Sequence, residues 1–158
     1  MSAESLSHRL EQELADLGEV VAEVKRVLGK YQQSQDADLL PAIAMNLQSY
    51  YTRVERVMVS VALDCEQTVP EGKEWHRQLL EQMGKDIEDV RPALISESLL
   101  ASLDELRRLR HVVRSIYAFK LDPDLLLPIA QRLPNGHGQF QKDCAFFLKK
   151  LTQRRERE

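Results

Sequence analysis

Residues 40–63, LPAIAMNLQSYYTRVERVMVSVAL, place apolar side chains at Leu40, Ile43, Leu47, Tyr51, Val54, Met58 and Val61. The steps are threes and fours, so all seven lie on one stripe of an α-helix. Pro41 stands in the first turn, where a helix tolerates it, and Asp38 is the candidate cap. The same period extends both ways. Upstream, Leu6, Leu10, Leu14, Leu17, Val21, Val24 and Leu28 predict one long first helix. Downstream, a loop at residues 68–72 (TVPEG) precedes a shorter helix through Trp75, Leu79, Leu80, Met83 and Ile87. Arg91-Pro92 closes that segment, and Ser96 is positioned to cap a fourth helix with the stripe Leu99, Leu103, Leu106, Leu109, Val113 and Ile116. Asp122-Pro123 joins a capping carboxylate to a proline at the first helical position, a strong helix start. Leu125, Leu126, Ile129 and Leu133 follow, and Pro134-Asn135-Gly136 predicts a break. Phe140, Cys144, Phe147, Leu148 and Leu151 form a last helix, with a charged end at about 152–158 expected to fray. The expectation is all-α: a single domain over residues 1–158, built as a bundle of five to six helices.

Composition agrees with that reading. A chain of 158 residues is long enough to bury one core, and 43% hydrophobic with 30% charged residues excludes intrinsic disorder. Only 6 Gly and 6 Pro leave little turn material for a many-stranded sandwich or barrel. No apolar run approaches the roughly 18 residues of a membrane span, and the polar N-terminal stretch has no secretory core. Two cysteines, Cys65 and Cys144, make no disulfide framework and read as small buried hydrophobes, so a cytoplasmic location is expected. Tyr50 and Tyr51 read as bundle or interface residues.

The net charge of −3 conceals an asymmetry. Residues 1–100 carry 18 acidic and 10 basic side chains, whereas residues 101–158 carry 7 acidic and 12 basic ones. Such a separation can create a local anion-binding surface on an acidic protein. Most motif classes are absent: no Gly-rich phosphate loop, no CxxC and no HExxH. The four histidines, His8, His76, His111 and His137, have no zinc-ligand spacing, so neither a metal nor a cofactor is expected. His76, beside Trp75, reads as a packing or capping residue.

The segment that carries chemistry is DELRRLRHVVRSIYAFKLDPD, residues 104–124. Arg107, Arg110, His111, Arg114 and Tyr117 recur at three- and four-residue steps and share one face of the fourth helix. Guanidinium groups bind phosphates as planar bidentate donors, and imidazole is suited to proton transfer near neutrality. Such a face would bind, and with a suitable base cleave, a phosphodiester. Equally, an Arg-rich face can be solvated or can pair with acidic helices, which this chain has in number.

Three blocks in order carry a family resemblance: LPAIAMNLQSYYTRVERV at 40–57, GKEWHRQLLEQM at 72–83 and LRHVVRSIYAFKLDPDLL at 109–126. Together they resemble HepT-like proteins of the HEPN superfamily, small helical proteins encoded beside minimal nucleotidyltransferases in prokaryotic toxin–antitoxin pairs. That group's signature is an Arg, four to six intervening residues, a His, one residue and a Tyr. On this chain Arg110 matches the motif arginine and Tyr117 the motif tyrosine, while Ser115 stands where the histidine belongs and His111 directly follows Arg110.

The resemblance implies metal-independent endoribonuclease activity centred on Arg110, His111, Arg114 and Ser115, with Arg107, Arg110 and Arg114 binding RNA. It further implies a homodimer and a cognate minimal nucleotidyltransferase antitoxin, which would transfer AMP to Tyr117. The new phosphate would then face the arginines and compete with RNA. Ser115 leaves a second reading open: a catalytically degenerate module that docks the nucleotidyltransferase or serves as its substrate.

Overall fold

The stripe on residues 40–63 forms the axis of the molecule. In a computed structural model, which describes residues 3–115 and 120–157 (backbone alone at 3, 4, 114 and 115), Ile43, Leu47, Tyr51, Val54, Met58 and Val61 are all fully buried. They lie on α2 (Leu40–Glu66), which packs against every other long element: α1 (Ala3–Ser34), α3 (Trp75–Met83), α4 (Glu97–Ser115) and α5 (Pro123–Glu156). Burying one such side chain is worth about 1.5–3 kcal/mol, so this stripe dominates the choice of fold. Buried hydrophobic residues from all five helices join one cluster, and α1 lies along both α2 and α5. The described residues contain no strand, so the architecture is an all-α bundle of five helices.

Local signals were decisive at some helix ends and misleading at others. Asp38 is not the cap of α2. It lies inside a 3-10 turn, Ala37–Leu39, whose own cap is Asp36, the carboxylate accepting from the Asp38 N–H at 2.9 Å. That turn feeds directly into α2, whose N-cap, Leu39, makes no side-chain bond. Ser96 precedes α4 as expected, its carbonyl accepting from the Leu100 N–H, while its own N–H and hydroxyl both donate to Asp143 on α5. Asp122 caps α5 through the Asp124 N–H, with Pro123 in the first turn.

The third helix stops at Met83, so Ile87 is not helical. The Met83 carbonyl accepts from Leu94 and Ile95, folding the connector back, and Ile87 pairs with Arg91 in an isolated bridge. Arg91 holds this turn from a fully buried position. Its guanidinium donates to Glu66 at 3.1 Å and to the carbonyls of Gln82, Lys85 and Pro92 at 2.8–3.0 Å. Carbonyls orphaned at the helix end are thereby satisfied by one planar fork.

The largest departure is α5, which runs unbroken through Pro128, Pro134 and Gly136. An interior proline costs about 3 kcal/mol. Against it stands one continuous buried stripe, Leu126, Ile129, Ala130, Leu133, His137, Phe140, Cys144, Phe147 and Leu151, which a turn at 134–136 would rotate out of register. The charged end expected to fray is helical for most of its length. The helix continues to Glu156, and Arg154 and Arg155 reach Asp86 at 2.8 Å and Asp64 at 2.9 Å. Cys144 is buried and Cys65 partly so; burial pushes the Cys65 thiol up to about 11, far from a thiolate at neutral pH. No helix among the described residues is long and apolar enough to cross a membrane.

Candidate functional site

On α4, Leu106 and Leu109 are buried in the core, Arg107 and Arg110 are partly buried beside it, and Arg108 is exposed. The arginines do not form a bare cationic stripe. Arg107 donates to Asp104 at 2.8 Å, one turn back, and Arg108 reaches the same carboxylate at 3.3 Å. Arg110 crosses to α2, where its Nη1 donates to Glu55 Oε1 at 3.0 Å. Pairing with acids is therefore the arrangement for all three. His111 is exposed and lines a narrow recess of about 60 Å³ with Arg107, Arg110 and His76. Arg114 and Ser115 form the last turn of α4, but their side chains, and the whole of Tyr117, lie outside the described residues.

Glu55 is the residue that organises this corner. It falls on the apolar stripe of α2, four residues after Tyr51 and three before Met58, and only 5% of it is exposed. A buried carboxylate without partners is severely unfavourable, so the fold must bring it counter-charges. Arg110 holds one oxygen and His76 Nδ1 the other. His76 sits in the first turn of α3, stacked on Trp75 with ring centroids 3.7 Å apart. It packs as expected but does not cap, since Glu74 is the N-cap. With Nδ1 bound to a carboxylate, Nε2 is the ring nitrogen left for other chemistry.

Around this trio the helices leave a recess of about 440 Å³. Thr52, Arg56 and Ser60 extend it along α2, at the same helical spacing as Glu55. Arg9 closes it from α1, reaching the Ser60 hydroxyl at 3.4 Å. Arg56 is exposed and forms no ion pair among the described residues. Tyr51 is fully buried, and its hydroxyl finds no partner among the described residues. Burial, reinforced by the Glu55 charge, pushes that hydroxyl above its ordinary pKa, so it remains protonated. Among the described residues no three His, Cys, Asp or Glu side chains are grouped to hold a metal ion.

What the corner offers is guanidinium groups for anions, an imidazole oriented by a carboxylate, and an indole beside it. Sequence reasoning missed Glu55 and set His76 aside. The signal for Glu55 was present, because a charged residue on a helix's apolar stripe demands a partner. Nothing in the sequence said that the partner would be His76, which is 21 residues further along and on another helix.

No curated protein and no solved structure matches the chain. The family model described as HepT-like protein matches residues 42–151, from the first turn of α2 almost to the end of α5. That match covers Glu55, His76 and the whole arginine-bearing segment of α4 along with the helices that position them. By that match the chain belongs to the HepT-like family of the HEPN superfamily.

Proposed function

We propose that this chain is the toxin of a HEPN-type toxin–antitoxin pair, a cytoplasmic, metal-independent endoribonuclease neutralised by a cognate minimal nucleotidyltransferase. Family membership supports a toxin–antitoxin role. The observation that carries the finer reading is Arg110. The motif arginine is anchored by a buried carboxylate and lines two recesses, a wide one shared with His76 and a narrow one shared with His76 and His111. Only one nitrogen of its guanidinium is used by Glu55, which leaves further N–H donors for a phosphate. In RNA cleavage those donors stabilise the extra negative charge on the phosphoryl oxygens as the 2′-oxygen attacks. A homodimer would bring two such corners, with their Arg107 and Arg114 side chains, to one RNA strand. Transfer of AMP to Tyr117 would place a phosphate near the same arginines and compete with RNA.

Ser115 at the motif histidine position favours a second reading, a degenerate module that binds its nucleotidyltransferase without cutting RNA. One experiment separates the two. The chain is expressed alone and with the neighbouring nucleotidyltransferase, and growth, RNA integrity and intact mass are followed. Growth arrest with RNA fragmentation, abolished by Arg110→Ala and relieved when AMP is added at Tyr117, supports the nuclease. Intact RNA together with a stable complex between the two proteins supports the module.

A further inference from the structure

The site as the family motif describes it lacks an imidazole, because Ser115 stands at the histidine position. We infer that His76, oriented by Glu55 and set beside Arg110 in the recess between α1, α2, α3 and α4, is the general base of this protein and acts on single-stranded RNA. The inference rests on the nuclease reading above and deepens it by naming the base and the binding groove.

Three observations carry it. First, Glu55 holds His76 and Arg110 through its two oxygens, so one buried carboxylate fixes the base and the phosphate donor relative to each other. A carboxylate on Nδ1 selects the tautomer whose Nε2 accepts a proton, which is the role of the acid in a carboxylate–imidazole pair. Second, both His76 and Arg110 line the wide recess and the narrow one, so a ligand in either recess meets the pair. His111 lines only the narrow one and sits at the exposed end of α4. Third, the wide recess has the chemistry of a single-strand groove. Arg9 and Arg56 lie along it as phosphate donors, and Trp75 offers an indole at its edge for base contact. Duplex RNA would need a broader and flatter surface than this cleft between helices provides.

The reaction balances without a metal or a co-reactant other than water. His76 Nε2 takes the proton of a ribose 2′-hydroxyl, and the 2′-oxygen forms a bond to the adjacent phosphorus. The bond from phosphorus to the 5′-oxygen breaks, that oxygen takes a proton from water, and the protonated His76 returns its proton to solvent. The products are a 2′,3′-cyclic phosphate and a 5′-hydroxyl.

Trp75 is the single tryptophan of the chain and stacks on His76, so its fluorescence reports on this recess alone. The full chain is assayed with an unstructured oligoribonucleotide for cleavage, and with its 2′-O-methyl counterpart, which binds but has no attacking hydroxyl, for Trp75 fluorescence. His76→Gln keeps an amide donor for Glu55 while removing the base. Its cleavage rate is expected to fall by about 10²–10⁴, with the fluorescence response to the methylated strand retained. His76→Gly is expected to regain cleavage when imidazole is added, a rescue that a purely structural role would not give. Wild-type cleavage that is unchanged in His76→Gln but lost in His111→Ala overturns this inference and leaves the nuclease reading standing. Absence of cleavage by the wild type, with purified protein that binds the methylated strand, overturns both.

Discussion

Glu55 is one methylene longer than an aspartate and sits where the stripe calls for a leucine. Its carboxylate is the most buried member of the trio, while the side chains of Arg110 and His76 are 21% and 31% exposed. The members therefore respond unequally to removal. Glu55→Gln takes away the buried charge and lets the Arg110 and His76 side chains turn toward water, so its cost is that of lost charged hydrogen bonds, about 1.5–3 kcal/mol. Replacing both Arg110 and His76 by Ala strands the carboxylate, which costs about 3–5 kcal/mol. Adding Glu55→Leu to that pair should restore most of the loss. Urea unfolding of the four proteins gives the order directly, and a stable double variant with Glu55 intact would show that the carboxylate is not buried as described. A second buried polar pair behaves differently. Tyr50 and His137 are hydrogen-bonded at 3.0 Å between α2 and α5, and burial holds the His137 ring below its ordinary pKa. The native state therefore binds its proton less readily than the unfolded chain, whose histidine titrates near about 6.5. This contribution to stability is complete above that pH and is lost as pH falls through it. The pair Tyr50→Phe with His137→Leu should flatten the acid limb of a stability–pH curve.

Helix α5 tests how far local chemistry governs an element. If Pro134-Asn135-Gly136 formed a turn, Gly136 would favour a left-handed backbone and an alanine there would be strained. In the continuous helix a Cβ on Gly136 meets nothing within 4 Å. Gly136→Ala should then stabilise by about 0.5–1 kcal/mol, a rise of a few degrees in Tm by calorimetry, and a fall in Tm would restore the turn. The stripes of α1, α2 and α4 were legible in the sequence because each is a repeated apolar step within one helix. The course of α5 was not, because three residues with breaker chemistry outweighed, locally, a buried stripe whose worth depends on α1 and α2 being packed against it. The same distinction separates what was read of the site from what was missed. Arg107, Arg110 and His111 are neighbours on one helix and could be grouped by spacing. Glu55 and His76 meet Arg110 only because α2, α3 and α4 converge, and Arg91 became a buried hub only because α3 ended a turn earlier than its periodicity suggested.

At the scale of the molecule, Arg110, Arg154 and Arg155 of the basic residues 101–158 meet acids from the first hundred, and Arg107, Arg108 and Arg132 pair with acids of their own segment. Arg154 and Arg155 meet Asp86 and Asp64, Arg132 meets Glu105, and Arg107 and Arg108 share Asp104. With a net charge of −3, a long-range positive field is not what would draw RNA to this protein. The cations of the recess are different, since Arg9 and Arg56 come from the acidic first hundred residues and Arg56 forms no ion pair among the described residues. If the strand binds along this recess, its salt dependence should be shallow and assignable to single side chains. Each phosphate contact on a single strand contributes about 0.7 to the slope of log K against log salt. Arg56→Ala should lower that slope by about this amount and weaken binding equally across sequences. Arg154→Ala, an arginine already committed to Asp86, should leave the slope unchanged. Titrating the 2′-O-methyl strand at several salt concentrations while reading Trp75 fluorescence measures all three proteins in one format. Equal slopes for wild type and Arg56→Ala would place the strand elsewhere. A slope lowered by Arg154→Ala instead would move it to the far end of α5, where Arg154, Arg155 and Arg157 line a separate recess.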